Sequence, residues 1–138
     1  MLRPFDRVES VAHRVIGCAI EVHRVMGPGL LESVYQECLV SEFGATSLRF
    51  ATEVRVPLAY KGQRLRSSLK VDLLVEDCVI VEVKAVEALH PIFAAQLITY
   101  LKLTDCPAGL LINFNAILLN NGLRRVDHPD RYAARRRT

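Results

Sequence analysis

Tryptophan is absent from this chain, and aromatic residues make up only 7% of it. No aromatic platform for stacking bases stands out, so sequence-specific reading of DNA has no support in the residues. The four cysteines, Cys18, Cys38, Cys78 and Cys106, lie far apart. None has a neighbour at metal-knuckle spacing, which argues against a zinc cage and a disulfide framework; buried or half-buried thiols are the expectation. No apolar run reaches membrane-spanning length, and the longest, around 108–114, has the size of a strand. The first residues, Met1-Leu-Arg-Pro-Phe-Asp-Arg, lack the apolar core of a signal segment. A cytoplasmic protein without a membrane partner is therefore expected. There is no Gly-rich phosphate loop, no nucleophile elbow, and no partner that would place His13, His23 or His128 in a triad or a zinc site.

What is present is ordinary globular material. Hydrophobic residues make up 51% and charged residues 24% of 138 positions, enough for one domain with a single core spanning 1–138. There are no repeats, linkers or low-complexity stretches. The net charge of +3 is uneven. Residues 124–138 carry six arginines against Asp127 and Asp130, leaving the remaining body near −1. A basic tail at about 127–138 would touch phosphates without reading sequence, although a frayed, solvated terminus is the simpler account of it.

The periodicity gives the order of elements. Val8, Val11, Ala12, Val15, Ala19 and Val22 recur at helical steps over 8–25. Gly27-Pro28-Gly29 ends that helix, with Gly27 as a left-handed cap, and a second helix is expected over 30–43. Residues 48–60 alternate as one or two strands, with Pro57 at an edge or bulge. Lys61-Gly62 is a turn, 65–75 and 79–83 are strands, and 91–103 is a helix opened by Pro91. Short strands are expected at 108–114 and 123–126, around an Asn120-Asn121-Gly122 turn. This is an α/β chain whose helices cover a mixed sheet.

The chemistry concentrates in one hairpin, Leu69 to Lys84. If the loop around Glu76-Asp77-Cys78 holds an odd number of residues, Val71, Leu73, Val75, Val79, Val81 and Val83 form a single apolar face. Lys70, Asp72 and Leu74 then stand opposite Lys84, Glu82 and Ile80 on the other face. Asp72 faces Glu82, and like charges across a ladder repel. A hard divalent cation between them would remove that repulsion. Lys84 points the same way and would orient an attacking water or stabilise developing phosphate charge. Against this stands the plainer reading of a solvated surface with an ion pair.

Other candidates surround the hairpin. Glu32 and Tyr35 share a face of the second helix; Glu32 alone would be explained by the helix dipole. Gln96 and Tyr100 share a face of the helix after Lys84, where Gln96 would bond a phosphate or base, or simply be a partly exposed residue. Glu87 and His90 sit in the loop between, with His90 a candidate proton carrier.

The run Gly27-Pro-Gly-Leu-Leu-Glu32-Ser-Val-Tyr35 resembles the signature of the bacterial GxxExxY proteins, and the likeness continues through Asp72–Glu76, Val79–Glu87, Ala95–Leu103 and Gly109–Asn115. It covers roughly residues 8–126. The resemblance places the chain with the PD-(D/E)XK nuclease superfamily and implies a restriction-endonuclease-like fold, an αβββαβ core with an extra N-terminal helix. Carried over by position, Asp72 and Glu82 resemble the metal-binding pair, Lys84 the motif lysine, and Glu32 the further acidic residue of a leading helix. Gln96 and Tyr100 resemble the QxxxY element of RecB-type nuclease domains, and Tyr35 joins them as a substrate-positioning residue. Val71 stands where Pro commonly precedes the first Asp. The clustered cysteines of iron–sulfur nucleases are absent.

The resemblance implies Mg²⁺ or Mn²⁺ held by Asp72, Glu82 and Glu32, and a nuclease hydrolysing phosphodiester bonds of DNA or RNA to leave 5′-phosphates. The alternative is a non-catalytic module of the same fold that binds nucleic acid or protein, or assembles into a homo-oligomer.

Overall fold

The computed structural model describes residues 4–130. The chain runs α1 (Pro4–Met26), α2 (Glu32–Ala45), β1 (Phe50–Tyr60), β2 (Gln63–Val75), β3 (Val79–Lys84), α3 (Pro91–Thr104), β4 (Ala108–Asn113) and β5 (Leu123–Asp127), with a 3-10 turn at Leu119–Gly122. The strands lie side by side in chain order. All neighbours are antiparallel except β3 and β4, which are parallel and joined by the α3 crossover. The 48–60 stretch is one strand, and the second helix starts at Glu32, two residues later than its periodicity suggests.

Local chemistry accounts for these elements. The α1 stripe expected from the sequence is buried along its whole length. Gly27 ends the helix with φ 70° and its N–H on the His23 carbonyl at 2.8 Å, a conformation glycine adopts without a Cβ clash. On α2, Tyr35, Leu39 and Phe43 repeat every four residues and are fully buried. Both helices pack on one face of the sheet, against Leu73, Val75, Val79, Val81, Val83, Leu110 and Ile112. Helix α3 covers the other face, where Leu97 and Leu101 meet Ile80 and Leu111. It sits close: a Cβ on Gly109 would lie 2.9 Å from the Leu97 side chain. The central strands β3 and β4 are buried on both faces, as covered parallel strands are, and only Lys84 among them is partly exposed.

The first two strands behave differently. Of the thirteen residues of β2, only Leu73, Leu74 and Val75 pair with β3. The others pair with β1 alone, so residues 54–70 leave the sheet as a two-stranded ribbon, exposed without interruption from Ala59 to Ser68. β1 is the sheet edge, and its register shifts between Pro57 and Ala59, as expected for an edge proline.

At the other end, Asp127 pairs with Ala108, and the His128 N–H donates to the Pro107 carbonyl at 2.9 Å. The start of the expected basic tail is thus part of the fold; Arg131 and Arg135–Arg137 lie outside the described residues. Cys18, Cys78 and Cys106 are buried free thiols and Cys38 is half-buried. No helix among the described residues is long and apolar enough to cross a membrane.

Candidate active site

The turn between β2 and β3 holds three residues, Glu76 to Cys78, with Glu76 and Asp77 left-handed at φ 50° and 55°. An odd loop keeps the two acids on one rung. Pairing runs Val75↔Val79, Leu74↔Ile80, Leu73↔Val81 and then stops. Beyond that point side chains replace backbone partners. The Asp72 N–H donates to Glu82 Oε2 at 2.9 Å, and the Val83 N–H donates to Asp72 Oδ2 at 3.0 Å. Each acid is therefore held through backbone on the opposite strand.

The valine face expected of the hairpin is not continuous. Leu73, Val75, Val79, Val81 and Val83 pack under α1 and α2, whereas Val71 joins Ile80 and Leu97 on the α3 side. Leu74 and Val71 thus reach the same side although alternation separates them. β1 reverses with it. Phe50 touches Phe43 of α2, while Val54 and Val56 turn toward α3. Between them Glu53, opposite Asp72, takes φ 51°, a strained value for a residue with a Cβ. Both strands rotate at this rung, and the rotation takes Asp72 out of the ladder. Lys70 consequently does not stand opposite Lys84; it pairs with Arg55 of β1 and forms a 2.9 Å ion pair with Glu53.

Glu82 is only 6% exposed. Burial pushes its carboxyl up to about 8, and the neighbouring Asp72 carboxylate pushes in the same direction, while Lys84 opposes both. The Lys84 ammonium rests over the Phe93 ring of α3, 4.6 Å from its centroid. The Tyr100 hydroxyl is raised, first by burial and then by the charges of Glu82 and Asp72. Tyr100, Phe93, Lys84 and the two acids therefore converge on the α3 side of the sheet.

This donor set suits a hard cation. Each acid commits one oxygen to a backbone N–H, leaving Oδ1 of Asp72 and Oε1 of Glu82 outside that bonding. Mg²⁺ typically takes one or two protein carboxylates, with water and phosphate completing its shell. Among the described residues no three acidic, His or Cys side chains form a metal-sized group. Glu32 stands exposed in the first turn of α2 and does not make such a triad with Asp72 and Glu82.

The remaining candidates divide. Tyr35 is buried, with its ring stacked on Phe114 at 4.6 Å. Its hydroxyl donates to the Gly27 carbonyl at 2.6 Å and accepts from the Leu30 N–H at 3.0 Å. It fastens the Gly27–Leu30 loop. Gln96 is exposed, and no hydrogen bond among the described residues ties it to the acids. His90 caps α3, its Nδ1 accepting from the Ile92 N–H at 3.0 Å, and Glu87 is exposed.

Sequence reasoning missed Asn113. Its buried amide accepts from the N–H groups of Val86 and Asn115 and donates to the Val86 carbonyl, at 3.0–3.2 Å. It thereby fixes the chain just after Lys84, which it faces in the β3–β4 register. A lone amide closing the run Ala108–Asn113 was the available signal. Phe93, the rest for Lys84, looked like one more apolar residue of the helix.

A mixed five-stranded sheet with helices on both faces, parallel across a central crossover and splayed where two acids meet, defines a restriction-endonuclease-like fold. The chain belongs to the PD-(D/E)XK nuclease superfamily, whose model matches residues 9–126. No curated protein and no solved structure matches it.

Proposed function

We propose that this protein is a Mg²⁺- or Mn²⁺-dependent phosphodiesterase that cuts nucleic acid and leaves 5′-phosphates, and that within its superfamily it is a GxxExxY protein. One observation carries the reading: a carboxylate pair, Glu82 buried and Asp72 half-buried, beside a lysine, at the rung where two strands separate. Such a pair is costly in isolation. Asp72 and Glu82 would hold the cation. When bound, the ion polarises the phosphoryl oxygen and acidifies a water.

The chain's own residues supply the rest. Lys84 sets its ammonium beside the pair, where it orients the water and stabilises charge developing on the phosphoryl group. The Tyr100 hydroxyl, held protonated, donates to substrate oxygen. Asn113 keeps the segment after Lys84 in place. Gln96 and the loop fastened by Tyr35 frame the approach, and Glu32 acts from the loop side through water.

The test is cleavage of labelled single- and double-stranded DNA and RNA with Mg²⁺, Mn²⁺ or EDTA. Wild type is expected to cut only with metal, and Asp72→Asn and Lys84→Ala are expected to lose the activity. Cutting that survives in both variants overturns the assignment. Binding without cutting under every metal condition establishes a non-catalytic module instead.

A further inference from the structure

We infer that the β1–β2 ribbon, residues 54–70, is a DNA-binding arm that lies against the phosphates of a B-form duplex. The inference deepens the nucleic-acid reading above and rests on it. Charge segregation is the first observation. Residues 54–70 hold five basic and no acidic side chains, whereas the rest of residues 4–130 holds eight basic and fifteen acidic. The arm is thus a cationic projection on an anionic body.

Geometry is the second. Along β2, Arg64, Arg66, Ser68 and Lys70 alternate with Leu65, Ser67, Leu69 and Val71, so the charges share one side of the strand, the side away from α3, toward which Leu69 and Val71 pack. Arg55 is cross-strand neighbour to Lys70 and bonds Ser68, which places it with them. Lys70 already pairs with Glu53, but among the described residues no salt bridge engages Arg55, Lys61, Arg64 or Arg66. From Glu53 to Tyr60 the ribbon reaches about 23 Å at ~3.3 Å per residue.

Shape selects the partner. A two-stranded ribbon fits the major groove of B-form DNA, about 12 Å wide. The major groove of duplex RNA is too narrow and deep for it. Single strands are normally gripped by stacking aromatics. The ribbon has only Tyr60, at its tip with Lys61 over its ring. Phosphate contact without base reading is what this surface offers.

The test is fluorescence anisotropy of labelled duplex DNA, single-stranded DNA and duplex RNA in EDTA, over a range of salt. Wild type is expected to prefer duplex DNA. In Arg55→Gln/Arg64→Gln/Arg66→Gln the slope of log affinity against log salt should shrink by about 2–3, at ~0.9 per lost contact. Thermal unfolding of this exposed-site variant should match wild type. The tail variant Arg131→Gln/Arg135→Gln/Arg136→Gln/Arg137→Gln should keep most of the slope. An unchanged slope in the ribbon variant, or loss confined to the tail variant, overturns the arm. Equal binding of single strands or duplex RNA overturns the B-form partner. Because cleavage is blocked, a ribbon-dependent slope in a protein that never cuts with Mn²⁺ upholds the arm while removing the phosphodiesterase.

Discussion

The last three residues of β2 and the ten before them form one strand in two settings. Leu73 to Val75 are bound on both sides, with Leu73 and Val75 fully buried and β3 paired beyond. Gln63 to Val71 have β1 alone as a strand partner, and most of their side chains face water. The first stretch is held by the core and tolerates little; the second is free to carry charge. Asp72 stands at the boundary, where the backbone ladder has ended and a side chain can take up hydrogen bonds that the ladder would otherwise use. The site sits where the fold stops demanding regularity.

The contrast breaks most visibly in the core. Ile80→Ala, at a fully buried position between β2 and α3, should cost about 2–5 kcal/mol in urea unfolding. Leu65→Ala in the ribbon should stay within about 0.5 kcal/mol. Comparable losses would mean that the ribbon is anchored like the sheet.

Glu82 gives the next largest effect, and it depends on pH. Its folded carboxyl titrates near 8, against 4.5 ordinarily. Between those values the folded chain keeps a proton that the unfolded chain has lost. Its contribution to stability is therefore full below about pH 4.5 and declines as pH rises toward 8, by ~1.4 kcal/mol per unit. Glu82→Gln should flatten this decline, measured by urea unfolding at pH 5 and pH 8. Mn²⁺ at pH 8 should raise the Tm of wild type and leave that of Asp72→Ala unchanged.

Smaller effects test the supports. Asn113→Ala strips the Val86 N–H of its acceptor and should cost roughly 1–3 kcal/mol. It should lower kcat more than it raises KM if the segment after Lys84 positions the lysine. Tyr35→Phe removes both bonds to the Gly27–Leu30 loop and should cost roughly 1–2 kcal/mol. Faster proteolysis or hydrogen exchange near residue 28, with little change around β4, would locate the loss in that loop.

Much of this architecture was legible in the residues. The stripe of α1, the left-handed cap at Gly27, the proline at an edge bulge and the odd hairpin turn all follow from local rules. So does the meeting of Asp72 with Glu82, since register is a matter of parity. Parity also explains the failure at Val71. Alternation assumes an unbroken pleat, and nothing in Glu53 or Asp72 announces a left-handed residue at that rung. The ribbon's charge does not show in the net charge of the body, because acids spread along the rest of the chain outweigh its five cations. Asn113 and Phe93 were obscure because their roles depend on strands and helices far apart in the chain.

The reciprocal clasp between the acids has a genetic consequence. The Asp72 amide rests on the Glu82 carboxylate, and the amide after Glu82 rests on the Asp72 carboxylate. Losing either acid disorients the survivor, so a second loss adds little harm to the first. Lineages should keep the two together or discard them together, and a chain retaining one alone should be a brief intermediate.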